Sequence, residues 1–235
     1  MRAPCELGAG VVPDVWRPSQ RYALKGPMDP EVARARLAAA KSLMRTDTLK
    51  RLVAKYPGIV LHQAPEVLEA QLRGLAGHMG LGDFRDAAEA YLAAPNVMRP
   101  MEYIHASADG LARVMAEHGR DADFTRQMLR SRPHLLSLQV STFSSKMALL
   151  REVSAGYWPW EAELRDISPS KLARLMQIGT KVLMRLKYLR QTGFAMSTIT
   201  KYVRMTASDW ATTAPGFESW LASQPMEEGE ESDQE

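Results

Sequence analysis

Cysteine is almost missing from this sequence: Cys5 is the single one among 235 residues. That excludes an internal disulfide and deprives a structural zinc site of its usual thiolates. Aromatic residues make up only 7% of the chain, and alternating runs of valine, isoleucine and aromatics are scarce, which argues against strands and predicts an all-α chain. No apolar run approaches the roughly 18 residues needed to span a bilayer, and no secretory core follows Met1. The marks of catalysis are thin as well. His62, His78, His105, His118 and His134 are scattered with no carboxylate or cysteine partner at metal-ligand spacing. The Leu7-Gly8-Ala9-Gly10 run lacks the Lys-Ser/Thr ending and the preceding strand of a phosphate loop. Glu161, Glu163 and Asp166 crowd what reads as one helix start, where acids favour the positive end of the dipole. The expectation is a protein that is not an enzyme and holds no metal or cofactor.

What is present is punctuation at a fixed period. Pro57, Pro95 and Pro133 are 38 residues apart and Pro169 follows 36 later. A glycine returns as well, as Gly80 or Gly82, then Gly119, Gly156 and Gly193, at 37-residue steps if Gly82 is the first. Proline ends a helix or opens the next, and glycine takes the left-handed turn at a helix end without a Cβ penalty. A unit of about 37 residues with one of each fits two helices and their turns. No such unit buries its apolar face alone, so units must stack.

The full units read as about 47–83, 84–121, 122–157 and 158–194. A partial unit precedes them, because Pro30-Glu31-Val32 opens an alanine-rich helix as Pro65-Glu66-Val67 does. Another follows, in which Ala207 stands where the next proline would fall and the pattern decays toward a cap. The predicted organisation is an irregular N-terminal arm over 1–27, a helical-repeat array over 28–210, and a C-terminal cap with an acidic, disordered tail over 211–235.

The segments AKYPGIVL, RSRPHLLSL, MGLGDFRDAAEAYLAAPNVM and LMRLKYLRQTGF follow one order: helix, proline, apolar residues, leucine-bearing helix, glycine. In that order and spacing the chain, from about Asp47 to Trp210, resembles the mitochondrial transcription termination factor (mTERF) family. Asn96 and Val97 depart from the family's usual leucine pair after the proline. The resemblance implies a right- or left-handed superhelical solenoid. It also implies a nucleic-acid-binding protein of the mitochondrion, or alternatively the chloroplast, acting in transcription termination or regulation or on ribosomal RNA. Arg2, Arg17, Arg21 and Lys25 are accompanied by Glu6 and Asp14, a weak transit peptide that a processed or truncated chain would explain.

The residues themselves point the same way. In 171–190, Leu172, Leu175, Met176, Val182, Leu183, Leu186 and Leu189 recur at three- and four-residue steps, the stripe of a packed helix face, with a break expected at Gly179. Charge is uneven. Residues 208–235 hold eight acids and no Lys or Arg, so 1–207 carry 30 basic and 19 acidic residues. Within that, 122–207 has 14 basic against 5 acidic residues, whereas 84–121 has 4 against 6.

Arg113, Arg151 and Lys187 each lie 18 residues after their proline, predicting a ridge of cations along stacked units. Arg126, Arg130, Arg132, Lys146, Arg165, Lys171, Arg174, Lys181, Arg185, Arg190, Lys201 and Arg204 extend the field. Such a line suits a phosphate backbone, whose neutralisation releases counterions. Tyr188, Phe194, Tyr202 and Trp210 lie among these cations, either to stack on bases or to fill the seam between helices. The expected partner is structured RNA such as ribosomal RNA, or double-stranded DNA, with ribosomal or other organellar proteins alongside and no membrane. The competing reading is a protein-interaction scaffold in a ribonucleoprotein, using the acidic 84–121 unit with Met98, Met101, Met115 and Tyr103.

Overall fold

The computed structural model describes residues 28–193 and 197–224, and every regular element among them is helical. The N-terminal arm, Phe194 and the acidic run from 225 onward lie outside the described residues. The α-helices are α1 (Pro30–Leu43), α2 (Thr46–Lys55), α3 (Pro57–Leu61), α4 (Pro65–Met79), α5 (Ala88–Ala93), α6 (Met101–Glu117) and α7 (Ala122–Ser131). They continue with α8 (Val140–Ser154), α9 (Trp158–Arg165), α10 (Pro169–Gln177), α11 (Thr180–Thr192), α12 (Ile199–Arg204), α13 (Ala207–Thr213) and α14 (Phe217–Ala222). Short 3₁₀ helices cover Phe84–Ala87, Pro95–Val97 and Pro133–Ser137. The chain forms two compact units that divide within α6, between Gly110 and Leu111.

The prolines do more than end helices. Pro57, Pro95, Pro133 and Pro169 each open a short helix of their own at its first turn, where the missing N–H and fixed φ cost nothing. Each later period therefore holds three helical pieces, where the spacing alone predicts two, and the first holds a fourth, the 3₁₀ turn Phe84–Ala87 that runs directly into α5. The four long pieces α4, α6, α8 and α11 are each followed by a glycine with positive φ: Gly80, Gly119, Gly156 and Gly193. The first in this series is Gly80 rather than Gly82. Leu81 N–H bonds back to Ala76 O at 2.9 Å, the closing bond of a Schellman turn, which fixes the left-handed residue at 80. Gly179 separates α10 from α11 as expected. At Ala207 Thr206 takes over the start of α13, its hydroxyl accepting Asp209 N–H at 3.1 Å, so a helix begins there without the proline.

In the first compact unit α1 packs on α4 and α2 on α5. The buried core of this unit includes Leu52, Ile59, Leu68, Leu72, Leu75 and Tyr91, each of the aliphatic ones worth about 1.5–3 kcal/mol when withdrawn from water. The Tyr91 hydroxyl donates to Gln71 Oε1, and Gln71 Nε2 donates to Arg99 O, both at 3.2 Å, so the buried amide is satisfied. In the second unit α7 packs on α10, α8 on α11, and α11 on α14. Here Leu111, Phe143, Leu150, Trp160, Leu186 and Leu189 are fully buried. Of the predicted stripe in 171–190, all but the half-buried Val182 are buried.

Candidate nucleic-acid interface

All fifteen cations singled out from the sequence lie in the second compact unit, and the structure sorts them by what each already holds. Three are drawn into the fold. Lys146 is buried, 7% exposed, and its ammonium donates to Met176 O at the end of α10 at 3.1 Å. Its charge answers the carbonyl end of a neighbouring helix and has no access to a surface ligand. Arg190 donates to Val153 O at 3.0 Å and Ala155 O at 3.2 Å, closing α8, and its guanidinium lies over Tyr157, 4.9 Å from the ring centroid. Arg185 donates to Met205 O at 3.3 Å and sits over Trp210 at 5.0 Å. Burial holds the Arg185 guanidinium below its ordinary pKa, with Glu218 acting in the opposite direction. These three are structural cations in geometry, whatever their place in the period.

Five more face named partners. Lys187, 28% exposed on its side chain, bridges to Glu152 at 2.9 Å, and Lys181 to Glu218 at 2.9 Å. Arg165 lies 3.6 Å from Asp166 and Arg130 lies 4.0 Å from Asp123. Arg151 is exposed and its Nη1 stands 3.4 Å from His118 Nδ1. Burial first, then the adjacent Arg151, hold the His118 imidazole below its ordinary pKa against the pull of Glu117, so the neutral ring accepts from the guanidinium. The expected ridge of Arg113, Arg151 and Lys187 is thus broken up: two of its three members are engaged with neighbours.

The remaining cations are unengaged among the described residues. They are Arg113, Arg126, Lys171, Arg174, Lys201 and Arg204, all exposed, and the half-buried Arg132. Helix periodicity sets most of them beside a second cation. Arg126 is four residues from Arg130, itself engaged with Asp123, on α7, whose Thr125, Met128 and Leu129 face the core. Lys171 and Arg174 are three apart on α10, whose Leu172, Ala173, Leu175 and Met176 face it. Because α7 and α10 pack together, these two pairs sit on neighbouring helices. Lys201 and Arg204 form a third pair on α12.

Most of the aromatics fill the seam. Tyr188, Tyr202 and Trp210 are buried. Tyr188 joins Phe217 and Trp220 at centroid distances of 5.7 and 5.4 Å, and Trp210 meets Phe217 at 5.4 Å, clamping α14. In the second unit Trp158 is exposed, 71% accessible at the first turn of α9, and the period of the cations did not single it out. Sequence reasoning also passed over Arg120, which donates to Arg165 O at 2.9 Å to close α9. Of the three acids expected at one helix start, Glu161 is there, in the first turn of α9, and accepts Gly156 N–H at 2.8 Å. Asp166 instead follows the end of α9, and Glu163 caps α12, a long-range pairing invisible in a linear pattern. Among the described residues no group of three or more His, Cys, Asp or Glu is placed to hold a metal ion, and no helix is long and apolar enough to cross a membrane.

Fold and side chains together define an all-α protein whose second unit carries exposed cations in pairs on α7, α10 and α12, Arg130 of the α7 pair being engaged with Asp123. Comparison with family models, curated proteins and solved structures finds no match to this chain.

Proposed function

We propose that this protein is an mTERF-like helical-repeat solenoid that binds nucleic acid in an organelle, the mitochondrion or alternatively the chloroplast. It holds the phosphate backbone of structured RNA or duplex DNA in transcription regulation or ribosome-related gene expression, without enzymatic activity. The observation that carries the reading is the pairing of exposed cations on packed helices: Arg126 with Arg130 on α7, Lys171 with Arg174 on α10. Structural demands do not account for Arg126, Lys171 and Arg174, since they make no ion pair among the described residues. Solvation alone requires less than the nine net positive charges of 122–207. The side-by-side packing of α8, α11 and α14 supports a stacked array. Trp158 offers a stacking face for an unpaired base.

The test is fluorescence anisotropy of the full chain with a random duplex DNA and with a structured RNA across a salt series. A backbone-held polyanion loses affinity steeply, with log K falling by about 0.7–0.9 per phosphate contact for each decade of salt. Absence of binding to either polymer at low salt refutes the reading.

A further inference from the structure

The first compact unit carries a surface of the opposite character. A groove of about 410 Å³ lies between the first turns of α4 and α6, lined by Glu66, Val67, Ala70, Pro100, Met101 and Glu102, with Gln71 at its base. Val67 is 49% exposed, and Tyr103, next along α6 from Glu102, is 58% exposed; both are large apolar side chains left in water. The floor is a close approach of two helices. Met101 lies over Gly74, where a β-carbon would stand 2.1 Å from its Cε, so glycine at 74 lets the thioether rest on α4 and a larger residue would push the flexible end of the methionine aside. A half-exposed methionine seated this way is an adaptable apolar contact.

The rim decides what fits. Glu66 and Glu102 flank the apolar floor, both exposed, and neither makes an ion pair or hydrogen bond among the described residues. The surrounding stretch 62–110 has seven acidic residues against three basic ones. A nucleic acid is repelled by that field, and an acidic peptide is too. We propose that this groove is a docking site for a cationic, amphipathic segment of a partner protein, an apolar anchor seated on Val67, Ala70 and Met101 with Lys or Arg beside it meeting Glu66 and Glu102. Apolar burial supplies the affinity and the two carboxylates supply the orientation.

The probes are three labelled peptides of equal length with blocked ends: a Lys/Leu amphipathic helix, its Glu/Leu counterpart, and a Lys/Ser peptide without apolar residues. Anisotropy with the full chain is expected to show binding of the Lys/Leu peptide at least tenfold tighter than either of the others. In protein labelled with ¹³C at methionine methyls, the Met101 signal is expected to shift on titration. Glu66→Lys with Glu102→Lys should weaken the Lys/Leu peptide at least tenfold, Val67→Asp should do the same, and Glu66→Gln with Glu102→Gln should weaken it to a smaller degree. Circular dichroism melts should be unchanged by these surface substitutions, and so should affinity for duplex DNA and structured RNA. Binding that persists in the variants belongs to the acidic C-terminal run and overturns the proposal. Equal binding of the Glu/Leu peptide overturns it, and so does concentration-dependent self-association that the variants abolish, which makes the occupant a second copy of this chain.

Discussion

Glu163 on α9 accepts the backbone N–H of Ile199 at 2.6 Å, so the start of α12 is capped by a carboxylate 36 residues earlier in the chain. The same carboxylate accepts Thr200 N–H at 3.1 Å and the Thr200 hydroxyl at 2.6 Å. It satisfies donors that a short helix otherwise leaves to water, and it ties one period of the chain to the next. Trp160 reinforces the joint from the same helix, donating through Nε1 to Ser197 O at 2.6 Å.

Glu163→Ala should therefore destabilise the protein by about 1–2 kcal/mol, the range of a lost helix cap, with Glu163→Gln milder because its amide oxygen still accepts. Urea melts followed by circular dichroism measure both. Equal midpoints for wild type and Glu163→Ala contradict the capping role.

Lys146 makes a separable prediction, because its ammonium belongs to the end of α10. Lys146→Met keeps an apolar stem of similar length but leaves Met176 O without that donor, at a cost of about 1–3 kcal/mol. Nucleic-acid affinity per folded molecule should not change. A variant with wild-type melting but weakened binding would place Lys146 at the ligand instead.

Ala207 occupies the first position of α13, behind an extended Thr206 at φ −63° and ψ 162°. That geometry accepts a following proline, whose N–H would not be missed at a helix start. Ala207→Pro should restore the period and stabilise the protein by about 0.4–1 kcal/mol through the unfolded chain. Thermal melts with a lowered midpoint contradict this.

Acid sensitivity should arise at His78. Its Nε2 lies 2.6 Å from His105 Nδ1 across α4 and α6. Burial, then His105, hold His78 below the ordinary value of 6.5, with Asp109 opposing. The unfolded chain consequently takes up a proton before the folded one does. The stability contributed is full above the unfolded pKa, declines as pH falls from about 6.5 toward the folded value, and declines no further below it. His118, lowered in the same direction, adds to the slope. His78→Gln should flatten the loss of stability between pH 7.5 and 5.5, measured by urea melts. An unchanged slope assigns the sensitivity elsewhere.

The helical skeleton was legible in the sequence because proline and glycine act locally. Pro57, Pro95, Pro133 and Pro169 constrain their own φ, and Gly119, Gly156 and Gly193 stand at left-handed turns where the period placed them. Even spacing favoured Gly82, but the helix end is decided by which carbonyls are free, and those of Ala76 and Gly77 select Gly80. The helical pieces opened by Pro57, Pro95 and Pro133 escaped notice because three to five residues after a proline carry no periodicity to read, whereas the nine residues of α10, ended before Gly179, were legible. Charge was legible as a total and not as a site. Whether a cation is free depends on carbonyls and acids 30 or more residues away, as Lys146 with Met176, Arg190 with Val153 and Lys187 with Glu152 show. The cations left for a ligand are those without such a partner, and the period does not distinguish them.

The most direct measurement is the salt dependence of nucleic-acid affinity in Arg126→Glu, Lys171→Glu, Arg174→Glu protein beside wild type. These exposed residues contribute nothing to the core, so melting should be nearly unchanged. Affinity should fall for every sequence tested, and the slope of log K against log salt should shallow by about 2–3, near one for each lost phosphate contact. Equal affinity and an equal slope in the triple variant would show that the pairs on α7 and α10 are ordinary solvated side chains and would contradict the account.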